Sequence, residues 1–310
     1  MTLVFIDGSS GTTGLRIHDR LRNRPGVDLV TLPEEDRKNP KARAEAINSA
    51  DIAVLCLPDA AAREAVSFVR NPATVVLDAS TAHRTAPGWA YGFPELGPSY
   101  LEGVRTSKRI AVPGCHASGF IALVSPLTEA GVVSREAKLT CTSLTGYSGG
   151  GKKMIADYEA GDRSPLFDSP RVYALGQTHK HLPEMKVHGG GSEAPAFLPI
   201  VGDFYSGMLV IVPIFRKDLA AGTTIETIRG IYREKYRSPI VSYVDGMDED
   251  GFLAASALSG LDCMQVSVFG NEDRILLAAR YDNLGKGASG AALECFNIAT
   301  GAAPETGLNL

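Results

Sequence analysis

After Met1 the chain begins Thr2-Leu3-Val4-Phe5-Ile6-Asp7-Gly8-Ser9-Ser10-Gly11-Thr12-Thr13-Gly14-Leu15-Arg16-Ile17. Residues 3–6 form a short apolar run, as a buried parallel strand does. Three glycines follow at three-residue spacing, and Leu15, Ile17 and Leu21 then mark the apolar face of a helix. Strand, glycine-rich turn and helix are what a dinucleotide site requires. Glycines let the backbone approach a pyrophosphate, and the helix N-terminus stabilises its charge. The spacing is GxxGxxG rather than GxGxxG, and a tight turn without a ligand is the competing reading.

Outward from that stretch the same rhythm continues. Apolar runs at 27–32, 52–57, 74–77 and 110–112 alternate at first with helical patterns such as 14–22 and 60–69. Strand–helix alternation predicts an α/β fold with a doubly wound parallel sheet. After the second run the chain reads Pro33-Glu34-Glu35-Asp36-Arg37-Lys38. An acid at the strand end favours NAD, whereas a nearby Arg accommodates the 2′-phosphate of NADP; this segment alone leaves the choice open. From about Lys138 longer strands are expected at 139–144, 208–215, 264–269 and 275–281, which predicts a second, α+β domain with a larger mixed sheet. The helical stretch 288–299 is too short for a domain and is expected to dock back on the first. A chain of 310 residues suits two domains.

Lys and Arg number 31 against 35 Asp and Glu, and no block of five basic residues occurs, so neither a nucleic acid nor an anionic membrane is an expected partner. No apolar run approaches the roughly 18 residues that span a bilayer. The N-terminus lacks a basic region and reads as strand, so no signal peptide is expected and the cytoplasm is the expected location.

The five cysteines, Cys56, Cys115, Cys141, Cys263 and Cys295, are scattered without CxxC spacing, so neither a zinc site nor a disulfide framework is expected. Cys115 stands apart. It lies in Val112-Pro113-Gly114-Cys115-His116-Ala117-Ser118-Gly119, between a strand and an apolar helix, where the positive end of the helix dipole stabilises a thiolate. The other four fall in apolar patterns and read as core residues. A third motif, Thr178-His179-Lys180-His181-Leu182-Pro183-Glu184, places two histidines two residues apart ahead of a helix start at Pro183. HxH plus Glu is a possible zinc set, but no further ligands accompany it, and no metal is expected. The alternative is an acid/base imidazole with Glu184 orienting or charging it. His18, His83 and His188 read as surface or structural.

These blocks together resemble the N-acetyl-γ-glutamyl-phosphate reductases, in their short form, which are related to the aspartate-semialdehyde dehydrogenases. The resemblance runs through the glycine loop, residues 78–84, residues 91–96, Pro113-Gly114-Cys115, residues 143–151, His179–Glu184 and Asp282-Asn283-Leu284-Gly285-Lys286-Gly287-Ala288-Ser289-Gly290. The long form commonly has Tyr-Pro where this chain has His116-Ala117.

The resemblance implies a Rossmann-type NADP-binding domain over 1–113, completed by a C-terminal helix in 287–310, and a catalytic and oligomerisation domain over 114–286. It implies that Gly8, Ser10, Gly11, Thr12, Thr13 and Gly14 hold NADP phosphates and that Asn283 lies near the nicotinamide. Cys115 is then the nucleophile and Arg84 the ligand of the substrate phosphate, while Ser148 and Gly149 bind an anionic part of the substrate. Of the two histidines, either of which could be the acid/base, His181 is favoured because it lies nearest the helix start that carries Glu184. The implied reaction is NADPH-dependent reduction of N-acetyl-γ-glutamyl phosphate through a cysteine thioester, in arginine biosynthesis, by a homodimer or homotetramer. Two alternatives stand beside it: reduction of aspartyl phosphate or another acyl phosphate, and a dinucleotide-binding sensor without catalysis.

Overall fold

The computed structural model describes residues 1–9 and 11–310. Ser10, expected at the phosphates, lies outside the described residues. The chain divides into two compact units. The first comprises Met1–Pro94, Pro98–Gly114 and Ala288–Leu308, and the second Glu95–Gly97, Cys115–Gly287 and Asn309–Leu310.

The first unit runs β1 (Thr2–Asp7), α1 (Thr12–Leu21), β2 (Val27–Val30), α2 (Pro40–Ser49), β3 (Ile52–Leu55), α3 (Asp59–Ser67), β4 (Val75–Asp78), β5 (Ala90–Tyr91), α4 (Pro98–Thr106) and β6 (Arg109–Ala111). Its six strands are all parallel, in the order β2-β1-β3-β4-β6-β5. This is the expected doubly wound sheet. The order reverses beside β1, and in such sheets that switch point opens the crevice where a ligand binds. Buried strands and helices on both faces explain why the strands read as unbroken apolar runs. One face is filled by Val4, Ile6, Ile17, Leu21, Val54 and Leu77 together with the last helix, Gly290–Ala299, whose Leu293, Phe296 and Ile298 are buried there.

Three strands stop short of their apolar runs, β6 by one residue at Ala111. β2 ends at Val30, ahead of Leu32 and Pro33, and β3 ends at Leu55, though the Cys56 N–H still bonds the Asp7 carbonyl. Helix α1 begins at Thr12 rather than Gly14, because Gly11 takes the extended N-cap conformation. The two-residue β5 carries too few residues to stand out in the sequence.

The second unit runs α5 (Cys115–Glu129), β7 (Thr140–Gly146), α6 (Gly151–Glu159), β8 (Arg171–Val172), α7 (Leu182–Gly189), β9 (Ala196–Gly202), β10 (Met208–Phe215), α8 (Ile225–Lys235), β11 (Val241–Tyr243), β12 (Met264–Gly270) and β13 (Arg274–Tyr281). The strands form one mixed sheet, β11-β12-β13-β10-β7-β9-β8, as expected for the second domain. Strand β9 escapes the sequence reading because Pro199 sits in its middle, a residue that argues against an interior strand. Helix α5 is buried nearly all round, from His116 to Val124, as a central helix must be. The hydroxyl of Tyr236 in the segment after α8 donates to the Ala122 carbonyl (2.7 Å), and Tyr232 of α8 bonds Leu123 likewise.

Candidate active site

In the first unit the glycine loop is dictated by space. Gly8 has φ +87°, and a Cβ there would lie 2.3 Å from the Cys56 carbonyl oxygen. A Cβ on Gly14 would lie 2.4 Å from the carbonyl of Gly8, whose oxygen also accepts from the Gly11 N–H (3.0 Å). The loop is therefore folded tightly against β1 and β3, with Thr12, Thr13 and Gly14 in the first turn of α1. The Thr12 hydroxyl is buried without a partner among the described residues. Beside the loop lies a cavity of about 350 Å³ whose walls include Asp7, Gly8, Ser9, Glu34, Arg37 and Lys38. Asp7 is buried and bonded by Arg43 (3.0 Å), yet burial outweighs that partner and holds its carboxyl above the ordinary value.

Arg84, also in the first unit, is buried rather than a surface residue. Its Nε donates to the Val112 carbonyl (2.8 Å) and its Nη2 to that of Ala79 (3.1 Å), which orients the guanidinium fork. His83 is buried too, bonded to Asp78 (2.6 Å) and stacked on Trp89.

In the second unit Cys115 is the first residue of α5. The Cα of Gly287 packs so closely that a Cβ there would lie 3.0 Å from Cys115 Cβ. The Tyr281 hydroxyl bonds the Cys115 carbonyl and the Tyr173 hydroxyl the neighbouring His116 ring; burial, and then the charge of a Cys115 thiolate, hold both phenols above their ordinary values.

The expected histidine pair is present as a pair. The rings of His179 and His181 lie 4.7 Å apart and perpendicular. They lie on an irregular stretch that turns into the helix: the Leu182 N–H bonds the His179 carbonyl, and His181 has helical dihedrals. Helix α7 begins at Leu182, one residue earlier than expected, with Pro183 in its first turn, where a missing N–H costs nothing. His179 Nδ1 accepts the His181 backbone N–H (3.1 Å), which leaves its ring proton on Nε2. Glu184 sits in the first turn of α7 and is buried.

The residue the sequence reading missed is His116. Its ring lies 5.5 Å from His179 and 5.7 Å from His181, at the centre of the cluster. Nδ1 bonds Ser143 Oγ (2.7 Å) and Nε2 bonds Tyr173 Oη (2.6 Å). Burial, and secondly His179, push its imidazole down to about 3, so it stays neutral. The only signal was its position after Cys115. Tyr173 had none, lying 57 residues from His116 in sequence.

Ser148 and Asn283 also meet in this unit. The Asn283 amide donates to Ser148 Oγ (3.0 Å), and its oxygen accepts from the Gly207 N–H (2.9 Å). Gly149 follows in the same short helical turn. Among the other cysteines, burial pushes Cys56 up to about 12 and raises Cys141 and Cys263. Cys141 and Cys295 are core residues, whereas Cys56 and Cys263 sit half-buried just outside strand ends. Among the described residues no group of three or more His, Cys, Asp or Glu is arranged to hold a metal, and no helix is long and apolar enough to cross a membrane.

Residues 115–283 match the semialdehyde dehydrogenase dimerisation domain, and residues 36–104 the semialdehyde dehydrogenase NAD binding domain. An N-acetyl-gamma-glutamyl-phosphate reductase of Burkholderia lata is 46% identical over 97% of this chain and 96% of its own. One from Rhizobium meliloti is 44% identical over 95% and 97%, and one from Trichormus variabilis 43% identical over 98% of each. Among solved structures, aspartate semialdehyde dehydrogenase II of Vibrio cholerae shares the fold with a TM-score of 0.72, at 16% identity over 97% of this chain and 98% of that one. The aspartate semialdehyde dehydrogenase of Candida albicans, solved with NADP, scores 0.69 at 15% identity, over 97% of this chain and 98% of its own.

Proposed function

This chain belongs to the N-acetyl-γ-glutamyl-phosphate reductase family, and we propose that it reduces N-acetyl-γ-glutamyl phosphate to N-acetylglutamate 5-semialdehyde with NADPH, through a thioester on Cys115, in arginine biosynthesis. One observation carries the reading: a cysteine at a helix start shares its surroundings with two tyrosines and borders a cluster of three histidines. A sensor without catalysis has no use for that cluster.

NADP is the cofactor. Its phosphates suit the loop Gly8, Gly11, Thr12, Thr13 and Gly14, where a side chain at Gly8 or Gly14 would collide with backbone and the Thr12 hydroxyl is still to be satisfied. Ser10 belongs to the same assignment. Arg37 and Lys38, in the wall of the adjoining cavity, favour the 2′-phosphate of NADP over the bare hydroxyl of NAD. Asn283 is assigned to the nicotinamide, its amide pinned by Ser148 and Gly207. We assign residues 1–113 with the C-terminal helix of 287–310 to cofactor binding, and 114–286 to catalysis and assembly. Bound NADPH supplies the hydride.

Cys115 attacks the acyl carbonyl as a thiolate, the form that the N-terminus of α5 stabilises. The tetrahedral adduct expels phosphate, which takes up a proton, and a thioester remains on Cys115. Reduction of that thioester leaves a thiohemiacetal oxyanion, for which backbone N–H groups at the start of α5 are candidate donors. An imidazole protonates it, and then takes the proton back as the C–S bond breaks to give aldehyde and thiolate. His181 suits that task better than His179, whose Nδ1 is committed to a backbone N–H. Glu184 keeps the proton available, Arg84 takes the substrate phosphate, and Ser148 with Gly149 takes a further anionic group of the substrate. Exposed Leu198, Phe215 and Leu276 on strands β9, β10 and β13 give a second copy an apolar surface, which suits a homodimer or homotetramer. The cytoplasm, where thiols stay reduced, suits a cysteine nucleophile.

The test follows NADPH absorbance in the reverse direction, with phosphate, NADP and either N-acetylglutamate 5-semialdehyde or aspartate 4-semialdehyde. Turnover is expected with the first substrate only and is expected to vanish in Cys115→Ser while NADP binding persists. Preference for the second substrate, or full activity of the variant, overturns the assignment.

A further inference from the structure

Tyr281 ends strand β13 and is fully buried. Its hydroxyl donates to the Cys115 carbonyl and accepts from the Gly119 N–H (3.0 Å). Those two groups are residues i and i+4 of the first turn of α5, the turn that carries the nucleophile. The phenol thus bridges the turn from outside the helix. Gly119 makes the approach possible: a Cβ there would lie 2.7 Å from the Tyr281 oxygen and 2.6 Å from a Val210 methyl. Six residues beyond Tyr281, the absence of a side chain at Gly287 leaves room for Cys115: a Cβ there would lie 3.0 Å from Cys115 Cβ. Between them Asp282 accepts the Leu284 N–H (2.7 Å) and Asn283 accepts the Gly207 N–H (2.9 Å), so the segment 281–287 is itself anchored.

Resting on the assignment of Cys115 as nucleophile, we infer that Tyr281 is a positioning residue, whose hydroxyl holds the first turn of α5 so that the Cys115 sulfur stays over the helix N-terminus. A buried phenol suits this task. Burial, and then the charges of Cys115 and other neighbours, keep it protonated, so it donates and accepts at once across the working pH range. Without the hydroxyl the Cys115 peptide loses its donor and the turn is free to tighten or fray. The sulfur then drifts from the first-turn amides that stabilise its anion.

The experiment is Tyr281→Phe, which keeps the ring and removes only the hydroxyl. Iodoacetamide labelling of Cys115, read by peptide mass, is followed against pH beside steady-state kinetics and Tm. The midpoint of labelling is expected to rise by about half a unit, the scale of a helix-terminus effect on a charge. A displacement of the sulfur is expected to lower kcat on the order of 10- to 100-fold while KM for both substrates holds. A role in packing alone lowers Tm and leaves both readouts unmoved, and that result overturns the inference. Should Tyr281→Phe not fold, Gly119→Ala displaces the same hydroxyl from the other side and is read identically. If Cys115 of the unaltered enzyme is not the thiol that labels, the nucleophile assignment fails instead. The two failures are distinct.

Discussion

Replacing Gly8 with alanine puts the glycine loop, proposed above to hold the cofactor phosphates, under a load that the geometry lets one work out. The new methyl would sit 2.3 Å from the Cys56 carbonyl oxygen and 3.2 Å from a Leu57 methyl. Contact distances settle near roughly 3.5 Å, so the loop must retreat by about 1 Å. It must also keep or abandon φ +87°, which costs a residue with a side chain roughly 1–3 kcal/mol. Retreat moves the Gly8–Gly11 turn away from the pyrophosphate. Each hydrogen bond to a charged group is worth about 1.5–3 kcal/mol, so losing one weakens NADPH binding by roughly 10- to 100-fold. The assay is a fluorescence titration with NADPH, with Tm measured on the same sample and Cys115 labelling as a control on the second unit. A raised Kd, a Tm lower by a few degrees and unchanged labelling are expected. A lower Tm with NADPH affinity within twofold refutes the argument, since the loop would then be a structural turn and nothing more.

Replacing His181 with Asn is expected to cut kcat on the order of 10²–10⁴-fold, the usual worth of a positioned acid/base, while His179→Asn raises KM more than it lowers kcat. Unchanged kcat and pH profiles in both variants, assayed from pH 6 to 9, send the proton elsewhere. His116 contributes to stability with a definite sign: folded it titrates at about 3 and unfolded near 6.5, so its contribution is present above 6.5 and is lost as pH falls towards 3. At pH 5 the loss reaches about 2 kcal/mol, from 1.5 pH units at 1.36 kcal/mol each, so Tm of His116→Asn is expected to fall less between pH 7 and pH 5 than that of the unaltered protein. The Arg37→Ala and Lys38→Ala double variant is expected to raise KM for NADPH at least tenfold and to leave KM for NADH alone; equal changes with both cofactors count against a 2′-phosphate contact.

Local chemistry in the sequence was enough for the parts of this protein that depend on neighbours along the chain. The βα turn at residues 8–14 is legible because glycine is the residue that tolerates φ +87° against a carbonyl, and the parallel sheet because buried strands must be apolar on both faces. Cys115 is legible because a helix start is a local feature. Glu184 falls in the first turn of α7 for the same reason. Tertiary structure alone decided the rest. His116 reads as an accident of spacing until Ser143, Tyr173, His179 and His181 are gathered around it from three other places in the chain. Tyr281, 166 residues from Cys115, reads as the end of an apolar strand until its hydroxyl is seen bridging the helix turn that carries Cys115. Strand β9 was hidden by Pro199, which the sheet accommodates and a linear pattern does not. For the two side chains the physical reason is the same. A polar group in a core must be satisfied, but its side chain type does not say by whom; packing chooses the partner, and that choice spans the chain.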